Sequence, residues 1–96
     1  MLGEHLGIAK NTYNFFVKGM SQARRPDFIN LAQGYIADAK FWNVPLTQTA
    51  QVKDFVVLAN EWGVKLYIYV RQGTPVSKDV LKLIQSTGGD IIRIFE

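Results

Sequence analysis

The 96-residue chain has no cysteine and a single histidine, His5. Without cysteine there is neither a disulfide nor a thiolate metal site, and the redox compartment is left open. One imidazole is too little for a zinc site. With one His and no Cys, neither a Ser/His/Asp nor a Cys/His catalytic set is read from the chain. A glycine-rich phosphate loop of the Walker type is missing too. No apolar run approaches the ~20 residues that a membrane helix needs. The first residues, Met1-Leu2-Gly3-Glu4-His5, lack the basic and apolar regions of a signal peptide. Repeats, linkers and low-complexity segments are also lacking. Hydrolysis assisted by a bound metal is the one chemistry that the remaining residue types support.

What is present is apolar mass and a small excess of basic charge. Hydrophobic residues make up 48% of the chain and aromatic residues 12%, enough for one core in one domain spanning residues 1–96, near the lower size limit for such a core. Eleven Lys and Arg against eight Asp and Glu give a net charge of +3. That balance suits an anionic partner such as nucleic acid without requiring one.

Residues 1–8 read as the stub of a helix. Tyr13 to Val17 is a β-prone run, residues 18–21 a turn, and Ala23 to Ile29 a second strand. Pro26 offers the ladder no donor, which makes that strand an edge or bulged one at this point. Tyr35 to Trp42 alternates as a third strand. Its residues Tyr35, Ala37, Ala39 and Phe41 share one face, and Ile36, Asp38, Lys40 and Trp42 the other. Asn43-Val44-Pro45 ends it. A helix capped by Thr47 or Thr49 then runs to about Trp62, burying Val52, Phe55, Val56, Ala59 and Trp62 and stopping at Gly63. Val64 to Arg71 is the next strand. A last helix, capped by Ser77, turns Val80, Leu81 and Ile84 inward and stops at Gly88-Gly89, before a strand over 90–96. Strand, helix, strand implies a right-handed crossover and a parallel pair. The expected architecture is therefore α/β, with helices around one mixed sheet.

Asp38 and Lys40 stand side by side on the third strand, roughly 6.6–7 Å apart. A carboxylate and an ammonium within an apolar strand are costly to bury unless they pair or hold a metal. Pro26-Asp27 followed by Asp38-Ala39-Lys40, on a strand that leads into an amphipathic helix, resembles the motif of the PD-(D/E)xK, or restriction-endonuclease-like, nuclease superfamily. Further pieces resemble the toxin domains of that fold at the C-termini of bacterial polymorphic toxins of the contact-dependent inhibition and Rhs types. These are Gly3-Glu4, Lys10-Asn11-Thr12, the stretch 19–27, the stretch 38–43, Leu46-Thr47, Thr49 with Gln51 and Asp54-Phe55, Gly63, and Tyr69-Val70-Arg71 with Thr74. Asp38 stands where glutamate is the expected residue in close relatives, a change the superfamily accepts.

The resemblance implies an αβββαβ core followed by a further helix and strand, and a metal-dependent endonuclease. Asp27, Asp38 and the Ala39 carbonyl would hold Mg²⁺ or Mn²⁺, and Lys40 would orient or deprotonate the attacking water. Glu4, from the N-terminal helix, and Gln51, near the start of the central helix, would flank the metal, although each also reads as a plain surface residue. DNA is the first substrate expected, tRNA or other RNA the second. The resemblance also implies delivery as part of a larger bacterial protein, action in the target-cell cytoplasm and a cognate immunity protein as partner. Arg24, Arg25 and Arg71 are candidates for the phosphate backbone or are solvated edge charges. Two other functions stay open: a catalytically silent nucleic-acid-binding module, and a structural or interaction domain in which Asp38 and Lys40 merely neutralise each other.

Overall fold

The computed structural model describes residues 10–40 and 50–94. They form a four-stranded mixed sheet with two helices. The strands are β1 (Phe28–Asn30), β2 (Tyr35–Lys40), β3 (Lys65–Arg71) and β4 (Asp90–Ile94), in that order across the sheet. Helix α1 (Ala50–Trp62) connects β2 to β3, and α2 (Lys78–Gln85) connects β3 to β4. β1 runs antiparallel to β2, whereas β2 with β3 and β3 with β4 are parallel. Both crossovers step in the same direction, so right-handedness places both helices on one face of the sheet.

The core occupies that face. Ile36, Leu66, Ile68 and Val70 of the sheet meet Val52 and Phe55 of α1 and Val80 and Ile84 of α2 in one buried cluster. The stripe read from the sequence holds: Val52, Phe55, Val56 and Ala59 are buried and Trp62 is half-buried, but Asp54 and Leu58 are buried as well. Gly63 takes a positive φ of 66° directly after α1, the conformation that lets a helix end without a Cβ penalty. At the other crossover, Ser77 accepts from the Val80 N–H at 3.2 Å and caps α2, and Leu81 is half-buried rather than fully inside. Gly89 is needed for close approach, because a Cβ there would collide with the Leu66 carbonyl oxygen. The opposite face of the sheet holds Phe28, Ala37 and Tyr69, with Tyr35, Tyr67 and Ile92 packed against them.

The first expected strand is reduced to a single antiparallel bridge between Phe15 and Arg24, with reciprocal hydrogen bonds of 2.8 and 2.9 Å. An antiparallel ladder would next use residues two positions away on either side. Both are diverted. The Asn11 side chain takes the N–H and the C=O of Tyr13, at 3.1 and 2.8 Å, and Val17 turns back on Met20 through its N–H to the thioether and its C=O to the Met20 N–H. The second expected strand divides at residues 25–27, where Pro26 lies, and resumes as β1. The helix stub at residues 1–8, the caps Thr47 and Thr49, the strand end at Phe41 and Trp42, and the last two residues of the final strand lie outside the described residues.

Candidate functional site

The site is built where β1 begins. Register pairs Phe28 with Ala37, and one step further Pro26 has no N–H with which to continue the ladder. Side chains take over. The Asp27 N–H donates to Asp38 Oδ1 at 3.0 Å, and the Ala39 N–H donates to Asp27 Oδ2 at 3.0 Å. Two carboxylates from neighbouring strands are thereby locked into one corner. Because a residue's N–H and C=O point to the same side of a strand, the Ala39 carbonyl opens on that corner too.

Asp38 and Lys40 lie on the helix face of β2, only 3% and 4% exposed, and the Lys40 ammonium pairs with Asp38 Oδ2. The Lys40 Nζ also stands 5.2 Å from the centre of the Phe55 ring of α1, a cation–π contact. Burial pushes the Lys40 amine down to about 8, against the pull of the Asp27 carboxylate and with a further push from the Arg24 guanidinium. Asp27 is the member of the set that reaches solvent. Its side chain is 24% exposed and lies 3.8 Å from the Lys10 ammonium.

Asp27, Asp38, Ala39 and Lys40 thus share one corner of the sheet. Arg24 is adjacent but engaged, its Nε donating to Asp54 Oδ2 at 2.8 Å. Arg25 is exposed, Arg71 is exposed at the C-terminal end of β3, and Gln51 is half-buried in the first turn of α1. Glu4 lies outside the described residues.

A residue that pattern reading left without a role is Asp54. It is 3% exposed and accepts from the Ser21 N–H at 2.7 Å, the Ser21 hydroxyl at 2.6 Å and Arg24. Burial works against its charge, but the hydrogen bonds from Ser21 and Arg24 outweigh it and hold the carboxyl below the usual range. The available signal was a carboxylate two residues after Val52 and next to Phe55 on a helix that buries a wide arc.

The donor set fits a hard divalent cation in kind: two carboxylates and a carbonyl oxygen suit Mg²⁺, which keeps several waters and takes few protein ligands. Among the described residues no group of three or more His, Cys, Asp or Glu is gathered in one place; Asp27 and Asp38 are the two carboxylates that the described residues bring to this corner. Also among the described residues, no helix is long and apolar enough to cross a membrane. No family model, curated protein or solved structure matches the chain.

Proposed function

We propose that the chain is a metal-dependent phosphodiester hydrolase of the restriction-endonuclease-like kind, with DNA as first substrate and tRNA or other RNA as second. The observation that carries this reading is the convergence of Asp27, Asp38 and Lys40 across the gap left by Pro26. The order of the sheet supports it, with the Phe15–Arg24 bridge in the place of the first strand of the αβββαβ core. The resemblance adds a role as the toxin domain of a larger bacterial protein, blocked by an immunity protein.

Asp27, Asp38 and the Ala39 carbonyl would hold a Mg²⁺ or Mn²⁺ ion, which would supply Lewis-acid charge at the phosphoryl and leaving oxygens. Lys40, with its amine at about 8, is neutral in part near physiological pH and takes the proton of the attacking water. Its ammonium form then offsets the negative charge that develops on the phosphoryl group. Asp27 is the carboxylate of the set that reaches solvent, so the substrate would approach from its side, with Arg25 and Arg71 steering the phosphate backbone.

A second reading, an interaction domain whose buried charges are merely paired, is favoured by one specific observation. Both Asp38 oxygens already have partners, and Asp38 and Lys40 are almost fully covered. Incubation with plasmid DNA and with total tRNA, in Mg²⁺ and in EDTA, separates the two. The nuclease reading expects cleavage that EDTA stops and that Lys40→Arg lowers by about 100-fold or more, since the guanidinium stays protonated. Intact substrate under every condition, or an unimpaired Lys40→Arg, leaves the pairing reading standing instead.

A further inference from the structure

Pro26 and Asp27 lie where the ladder between β1 and β2 has run out, yet their backbone is held. Pro26 is buried, and a buried carbonyl needs a donor. Asn11 supplies it. Its side-chain amide donates to the Pro26 carbonyl at 2.9 Å, and its backbone N–H donates to the Asp27 carbonyl at 2.6 Å. The amide is itself fixed: its other hydrogen goes to the Tyr13 carbonyl at 2.8 Å and its oxygen accepts from the Tyr13 N–H at 3.1 Å, so both donors and the acceptor are engaged. The arm that carries Asn11 is tied to α1 in turn. Phe15 packs edge-on against Trp62 with centroids 4.9 Å apart, and Arg24 pairs with Asp54 at 2.8 Å.

The hydrogen bonds that hold Asp27 differ in what a cation would do to them. The Asp27 N–H leans on Asp38 Oδ1, and Asp27 Oδ2 leans on the Ala39 N–H. Each of these uses a carboxylate oxygen, the kind of atom that a hard cation takes. The two bonds from Asn11 end instead on the carbonyls of Pro26 and Asp27, outside the donor set of Asp27, Asp38 and the Ala39 carbonyl. They therefore persist when the carboxylates turn to an ion. Partners of this kind, which orient a ligand without touching the metal, typically govern about 10–100-fold in affinity. Lys10, next in the chain, acts on the same carboxylate in the opposite sense, because its ammonium, 3.8 Å from Asp27 Oδ1, competes with a cation.

We infer that Asn11 is the positioning residue of the Asp27 carboxylate, clamping Pro26 and Asp27 by their carbonyls so that one ligand of the metal is set in place before the ion arrives. The inference rests on the hydrolase reading. Two variants isolate the clamp from the turn that Asn11 also makes. In Asn11→Ser the hydroxyl still accepts from the Tyr13 N–H but is too short to reach the Pro26 carbonyl, whereas Asn11→Ala loses both. Binding of Mn²⁺ is read from the electron paramagnetic resonance of the free ion, which needs no turnover, and folding from thermal melts in EDTA. Both variants are expected to bind Mn²⁺ about tenfold more weakly than wild type, although Asn11→Ala melts at a lower temperature than Asn11→Ser. An asparagine that serves the fold alone would leave the affinity of the folded protein unchanged, or let it fall in step with the melting temperature, and either result overturns the clamp. Lys10→Gln, which keeps the clamp and removes the competing cation, is expected to bind Mn²⁺ at least as tightly as wild type. A loss there equal to that of Asn11→Ser would assign the effect to the whole segment and overturn the role of Asn11. If wild type itself binds no Mn²⁺, the hydrolase reading falls and the inference with it; if wild type binds and both Asn11 variants bind equally well, the inference alone falls.

Discussion

Lys40 concentrates the chemistry at the scale of single residues. Its amine is displaced from 10.5 to about 8 by burial, so the unfolded chain binds a proton between those values that the folded chain does not. Stability therefore rises as pH climbs from about 8 to 10.5, by on the order of 3 kcal/mol in total. Below about 8 the full penalty of the buried charge is present. Tyr69, which burial and the nearby Tyr35 and Tyr67 push above its ordinary value, works the other way near the top of that window. The measurement is thus a difference: urea melts of wild type and Lys40→Met at several pH values, in which the slope belonging to Lys40 is lost from the variant and the tyrosine contribution cancels. Equal slopes would mean that the amine is as solvated as in the unfolded chain. At the same residue, activity is expected to rise with pH along a limb that Lys40→Arg loses, and that limb lies no higher than about 8 because a cation at Asp27 and Asp38 would push the amine further down.

At the scale of elements, what held was what periodicity encodes. Alternation through Tyr35 to Lys40 placed Asp38 and Lys40 on one face with Ile36, which the structure shows to be the helix face, and the spacing of Val52, Phe55, Val56 and Ala59 placed the core. Pro26 signalled the break in the edge strand for a reason that resides in one atom, its missing donor proton. The single bridge at Phe15 was not legible, because it depends on which side chains capture the backbone of Tyr13 and Val17, and Asn11 and Met20 carry no periodic signature. Asp54 escaped for a related reason. A carboxylate inside a helix reads as solvated unless its partners are known, and Ser21 and Arg24 are 33 and 30 residues away. It ties the Phe15–Arg24 arm to α1, so Asp54→Ala is expected to cost about 3 kcal/mol by leaving Arg24 without its buried counter-charge, and to free the arm. Since the Asp54 carboxyl is held below the usual range, its share of stability is complete above about pH 4 and is lost as pH falls through the folded value. Acid titration of wild type against Asp54→Asn by circular dichroism checks that sign.

For the whole molecule, the contrast between a metal site and a self-neutralised pair is thermodynamic. An ion that binds only the folded chain stabilises it by mass action, about 2.7 kcal/mol at a concentration of 100 Kd. For a chain of this size that raises the melting temperature by roughly 10 °C or more. Wild type is expected to show the rise on changing from EDTA to Mg²⁺, and Asp27→Asn and Asp38→Asn to lose most of it. A wild type whose melting temperature ignores Mg²⁺ contradicts the hydrolase reading, whatever the activity assays return.

The hydrogen bond from the Ala39 N–H to Asp27 Oδ2 makes one backbone proton a gauge of this corner. In a regular ladder that amide would be shielded by the neighbouring strand's carbonyl, and its exchange with deuterium would follow the opening of the sheet. Here the acceptor is a side chain that can be drawn elsewhere. If a cation takes the Asp27 oxygens, the Ala39 amide loses its acceptor and exchanges faster, although the rest of β2 is held more firmly. One amide moving against its neighbours on addition of Mg²⁺ would mark occupancy of this corner. An Ala39 amide that slows in step with Ile36 and Ala37 would instead show that Asp27 never leaves its place in the sheet.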